Sequence, residues 1–144
     1  FVKENECEAL SKAGKVIEAR VYHTVHGPWR YFTVDDGQIE LEKADSILIG
    51  TLEAFSSLKD YFGEEKVSPV YIQVEDDIRL YRALTRELSE AEPNYKEMCR
   101  RFIADLKDFS EEKVREAGIV KRFENRDVQA CCREIRESIL GAGK

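Results

Sequence analysis

The sequence predicts an α/β protein, with an antiparallel strand pair appended to a parallel sheet that has helical crossovers. Three observations carry this reading. Two β-branched, alternating runs, "KVIEARVYHTVHG" and "WRYFTVDDG", meet at a Gly27-Pro28 break. Beyond residue 45, short apolar runs alternate with segments of helical period, the order expected of strands joined by helices. With 144 residues, 42% of them hydrophobic, the chain can bury one sizeable core and is not compositionally disordered.

Each element follows from its residues. Glu4 to Ala13 reads as a short helix stopped by Gly14. The two runs after it form an antiparallel pair whose exposed polar face carries Glu18. "SILIG" (46–50) is a continuous apolar run, as in a strand covered on both faces. "TLEAFSSLKDYF" spaces Leu52, Phe55, Leu58 and Phe62 by three and four, and Gly63 ends it. "KVSPVYIQV" (66–74) reads as a second buried strand. "EDDIRLYRALTRELSE" is a helix with an acidic first turn, which the helix dipole favours. Asn94 to Phe109 is a helix with Met98, Phe102, Ile103 and Leu106 inward. "SEEK" (110–113) resembles a cap and a further turn, ended by Gly118. "IVKRFEN" is a short strand, and Asp127 to Leu140 the last helix. There is no internal repeat, low-complexity tract or linker to a second domain.

Composition narrows the function classes. A formal charge of -6 argues against a general nucleic-acid binder, yet leaves room for one phosphorylated ligand held by a few arginines. Cys7, Cys99, Cys131 and Cys132 contain no C-x-x-C pair, and His23 and His26 lie far from them, so no zinc site is expected. The two histidines have no assigned role beyond loop polarity. Reduced thiols in a cytoplasmic protein are the expectation. No apolar run approaches the about 20 residues of a membrane span, and no signal peptide is visible.

The arginines hold the sharper signal. On a helix, Arg79, Arg82 and Arg86 fall on one stripe, with Leu80, Leu84 and Leu88 roughly opposite. The leucines are expected to pack on the sheet while the arginines face away. The plain reading is a solvated face with salt bridges to Glu87 and Glu90. The functional reading notes that a polar link, "SEAEPN", leads to a helix bearing Arg100 and Arg101. Two such helices can close over a phosphate chain, for which the guanidinium fork is suited.

"VIEARVYHTVHGPWRYFTV", "VYIQVEDDIRLYRALTRE", "MCRRFIADLKDFSEEK" and "KRFENRD" together resemble the guanylate kinase family, in order and over nearly the whole chain. None of these segments is as specific as a Walker A loop. The resemblance implies a partial P-loop NTPase-like parallel sheet plus a small antiparallel GMP-binding subdomain. It implies one domain over 1–144, with 1–45 in the GMP-binding portion and 46–144 in the core and lid, the lid at about 86–101. It implies transfer of the ATP γ-phosphate to GMP, with Mg2+ and in the cytoplasm. Glu18 would pair with the two adjacent N–H donors of guanine. Tyr31 would contact the GMP phosphate and Thr33 would read the base. Arg86 would stand at the lid entrance, Arg101 with Arg100 would clamp phosphate, and Asn125 would lie near the ATP adenine. The plain alternatives are a polar-face strand residue for Glu18, strand packing for Tyr31 and a turn for Asn125.

The departures from the family are large. No G-x-x-x-x-G-K-[ST] is present, and the terminal "GAGK" has neither a preceding strand nor a following helix. The chain opens at Phe1 without Met, so the expectation is the C-terminal portion of a kinase, inactive alone, with an unpaired strand edge and a tendency to self-associate. Where the family has an acidic stretch after its central strand, this sequence reads "GTLEAF", with Thr51 in place of a carboxylate. No metal ligand can be named. The loop between Glu18 and Tyr31 is longer than in the family. The alternative from another class is a non-catalytic guanylate-kinase-like module that binds a phosphorylated peptide or protein.

Overall fold

The computed structural model describes residues 9–24 and 27–141. It is a mixed α/β chain with one antiparallel and one parallel strand pair, and it divides into two compact units at Val67/Ser68.

The first unit is built on a hairpin. Strand β1 (Val16–Thr24) pairs antiparallel with β2 (Gly27–Val34), as the alternation predicts. Most of the expected first helix lies outside the described residues. Its end is helical, and Gly14 turns the chain at φ 67°, a value that disfavours residues with a Cβ. A bulge falls between Val16 and Glu18 and leaves Ile17 out of the ladder. Helix α1 (Leu52–Phe62) lies against β1 and buries Leu52, Ala54 and Leu58. Thr51 starts it as N-cap, accepting from the Ala54 N–H at 3.4 Å. Gly63, at φ 99°, ends it where the sequence places the stop.

One expected strand is not formed. "SILIG" is unpaired, with Ile47 at 91% and Ile49 at 102% exposure. Apolar, β-branched residues fit a strand, but a strand exists only where a neighbour takes up its N–H and C=O groups. Among the described residues no backbone hydrogen bond reaches 46–50.

In the second unit, β3 (Tyr71–Gln73) pairs parallel with β4 (Arg122–Glu124). The expected strand over 66–74 shrinks to these three residues. Pro69 has no N–H for a ladder, and residues 64–66 form a short 3-10 turn. β3 is not a buried strand either, since Ile72 is half exposed. Helices α2 (Asp76–Leu88) and α3 (Tyr95–Asp108) pack on one another. Asn94 caps α3, its side chain accepting from the Glu97 N–H at 3.0 Å. Ser110 caps the short α4 (Glu111–Glu116), and Gly118 follows at φ 74°. Asp127 accepts from the Ala130 N–H at 2.7 Å at the start of α5 (Val128–Gly141). Val114, Ile119, Phe123, Cys131 and Met98 are buried here.

The faces of α2 are reversed from expectation. Leu80 and Leu84 are each 40% exposed and Leu88 63%. Arg79 and Arg82 turn inward instead. Arg79 lies over the Phe102 ring at 4.6 Å, and Arg82 reaches the loop after β4. A guanidinium on a long apolar stem can stack and donate at once, so it competes with leucine for a small interior. Ile103 and Leu106 of α3 are likewise exposed rather than inward.

Candidate functional site

The hairpin brings three of the expected residues together. Glu18 is opposite Thr33 and Arg20 is opposite Tyr31, and directly paired residues share a face of the ladder. Alternation along β1 puts Glu18 and Arg20 on that same face. It is not the exposed polar face that the sequence suggested. The Glu18 side chain is 12% exposed and that of Arg20 17%, whereas Ala19 and Val21 face outward.

Electrostatics explain how a carboxylate is kept there. Arg20 Nε lies 2.7 Å from Glu18 Oε1, and Arg20 Nη2 donates to Glu53 Oε2 on α1. The guanidinium therefore bridges two carboxylates. Glu18 Oε1 is buried and, among the described residues, accepts no hydrogen bond, so the Arg20 Nε–H is close to it without being aligned on it. The result is a charge-compensated acceptor that still has capacity for a donor. Sequence reasoning gave neither Arg20 nor Glu53 a role. The signal for Arg20 was its i,i+2 spacing from Glu18; nothing local in the sequence ties Glu53 to β1.

At the edge of this unit the Tyr61 hydroxyl donates to Asp35 Oδ2 at 2.7 Å. That bond, followed by the Gly37 N–H, holds the Asp35 carboxyl below its ordinary range, and it raises the Tyr61 phenol.

The five arginines that the sequence singled out in the second unit separate into two groups. Arg79, Arg82 and Arg100 are engaged. Arg79 Nη2 lies 3.3 Å from Asp76 Oδ1 without hydrogen-bond alignment. Arg82 donates to the Asn125 and Arg126 carbonyls, each at 2.9 Å. Arg100 forms a two-pronged pair with Glu97 at 2.8 and 2.7 Å, which raises its pKa further. Arg86 and Arg101 are the exposed ones. The Arg86 guanidinium has no partner among the described residues, and Arg101 has only long contacts, 3.9 Å to Glu87 and 4.0 Å to Glu97.

Glu87 departs from the plain reading of a solvated salt-bridge face. It is the buried charged residue of α2, and its Oε1 accepts from the Asn94 N–H. It thereby ties the end of α2 to the start of α3. Asn125 is held between elements: its N–H donates to the Gln73 carbonyl at 2.9 Å, and its carbonyl accepts from Arg82. Its side-chain oxygen is 3.5 Å from Arg82 Nη1, so the Asn125 amide is only weakly committed.

His26 and Cys7 lie outside the described residues. Cys99 and Cys132 are exposed; Cys131 is buried, and burial pushes its thiol pKa up. No described helix is long and apolar enough to cross a membrane. No protein-family model, curated protein or solved structure matches this chain.

Proposed function

We propose that this chain carries the base-recognition and phosphate-clamping elements of a guanylate-kinase-type enzyme, which transfers the ATP γ-phosphate to GMP. The observation that carries the reading is the hairpin face shared by Glu18, Arg20, Tyr31 and Thr33. A largely buried carboxylate with unused acceptor capacity is what the paired N–H donors of guanine require. Tyr31, on the same face, suits the phosphate or sugar side of such a ligand. In the second unit, exposed Arg86 and Arg101 have fork geometry and permanent charge for phosphate oxygens, and Asn125 offers its amide to the adenine. Arg100, already paired with Glu97, takes a supporting part on α3.

The residues present do not fit the Mg2+ that the reaction would call for. Thr51 stands where the family has a carboxylate, and its hydroxyl caps α1. No step through the ion is assigned to this chain.

That same cap favours a second reading, a non-catalytic module that keeps the anion-binding arginines for a phosphorylated peptide or protein partner. Titration calorimetry of GMP into the chain, with Glu18→Gln as control, tests the first reading. Binding in the micromolar to millimolar range that the substitution abolishes supports it. Absence of heat from the folded chain, with binding of a phosphopeptide that needs Arg86 and Arg101, supports the second.

A further inference from the structure

We propose that Glu87 is an internal competitor of phosphate, a carboxylate that holds Arg101 in the empty chain and that a phosphate group must displace. The inference rests on the phosphate-clamping reading of Arg86 and Arg101, and it names what sets the strength of that clamp.

Glu87 is the one charged residue buried among those described, its side chain 11% exposed. A buried carboxylate needs compensation. Two groups of α3 supply it. The Asn94 N–H, at the positive end of the helix dipole, donates to Oε1, and Arg101 Nη2 lies 3.9 Å from Oε2. Glu97 also reaches Arg101, at 4.0 Å, but its charge is already matched by the Arg100 fork at 2.8 and 2.7 Å.

The length of the Glu87 contact decides its role. At 3.9 Å there is no hydrogen bond, so Arg101 is attracted by charge while its N–H fork is not spent on Glu87. The two partners also differ in freedom. Glu87 is buried and pinned to the head of α3, whereas Arg101 is 61% exposed on a long stem. An arriving phosphate takes the guanidinium and leaves the carboxylate behind. The negative charge that stays opposes the phosphate across a short distance. Glu87 therefore loosens the grip of Arg101 and favours release of the phosphorylated ligand.

The test titrates inorganic tripolyphosphate into the intact chain by calorimetry. Glu87→Gln keeps an oxygen that can accept from the Asn94 N–H and removes the charge. It should bind about fivefold tighter than the unsubstituted chain, the upper end for a partly exposed ion pair, and the gain should shrink as salt is raised. Adding Arg101→Ala should abolish the gain. A merely structural role for Glu87 gives the opposite sign, because loosening the α2–α3 junction can only misplace Arg101. Equal or weaker binding by Glu87→Gln, or a gain that persists without Arg101, overturns the inference. The clamp itself stands if Arg101→Ala alone weakens binding. Failure of both the unsubstituted and the Glu87→Gln chains to bind overturns the clamp as well. Should Glu87→Gln not fold, the Asn94 amide of the unsubstituted chain decides, since its N–H rests on Glu87. Its NMR signal should move with the same saturation as the Arg101 side-chain signals when tripolyphosphate is added. An Asn94 amide that stays in place while Arg101 saturates overturns the competition.

Discussion

Arg82 and Asn125 are 43 positions apart and joined by a guanidinium-to-carbonyl bond of 2.9 Å. A second bond of 2.9 Å from the same guanidinium reaches Arg126. Arg82 therefore fastens α2 to the loop that follows β4. Arg82→Lys keeps the charge and loses the fork, so it should fail to hold both carbonyls. Arg82→Ala is expected to cost about 1–3 kcal/mol and Arg82→Lys somewhat less. Urea unfolding of the variants measures both. Equal stability of all three proteins would count against this fastening.

The two groups of arginines should respond differently to substitution. Arg86→Ala and Arg101→Ala remove exposed guanidiniums, so stability should change by no more than about 0.5 kcal/mol. Each should weaken ATP binding in titration calorimetry, and the loss should shrink as salt is raised. Arg100→Ala should cost little stability through its Glu97 pair, with the smaller effect on ATP.

Phe123 is 2% exposed at the centre of β4 and takes the Lys121 ammonium over its ring. Phe123→Ala should cost about 3–5 kcal/mol, enough to unfold a unit with so few buried side chains. Circular dichroism on heating should show an early or absent transition.

The Tyr61–Asp35 bond sets a pH dependence whose sign is fixed. Asp35 titrates below its ordinary value when folded, so its contribution to stability is present above the unfolded pKa. It is lost as pH falls through the folded one. Tyr61 is shifted upward, so its share is present below its unfolded pKa and lost as pH rises through the folded value. Tyr61→Phe should return Asp35 toward the ordinary aspartate range. Both groups are exposed, so the readout is the Asp35 titration followed by NMR, not a melting curve. An unchanged Asp35 titration would remove Tyr61 as the cause.

Ile47 and Ile49 add little to the folded state at 91% and 102% exposure. Ile47→Ser with Ile49→Ser should leave stability within about 0.5 kcal/mol. It should also reduce concentration-dependent self-association seen by analytical ultracentrifugation, if the exposed run drives it.

The contrast between "SILIG" and α1 shows what was legible in the sequence. Thr51, the three-and-four spacing from Leu52, and Gly63 each act within a few residues, so start, face and stop of α1 were readable. So were the antiparallel pairing of the two runs and the Ser110 cap, although Gly27 and Pro28, read as the break, are the first residues of β2. "SILIG" has a suitable composition, but its strand needs a neighbour that local pattern cannot supply. The faces of α2 failed for a related reason. Periodicity separates arginines from leucines, and only the Phe102 ring and the Asn125 carbonyl determine which stripe turns inward. Of the candidate site, Glu18 and Thr33 were legible as strand residues. Their meeting depends on the register that runs unbroken from the Thr24–Gly27 pair to Glu18–Thr33, which strand composition alone does not specify.

The unpaired run at 46–50 also marks where the chain is open to cleavage. Proteases bind substrate as an extended strand and form main-chain hydrogen bonds with it. Ile47, Leu48 and Ile49 present such a strand without any prior unfolding, whereas α1 beyond them must first melt. A protease with apolar preference, used sparingly, should therefore cut here first. The nick would separate the Glu18 hairpin from the Glu53 that steadies Arg20, so a cut in an apolar segment would register as a change in how the hairpin holds its charged residues.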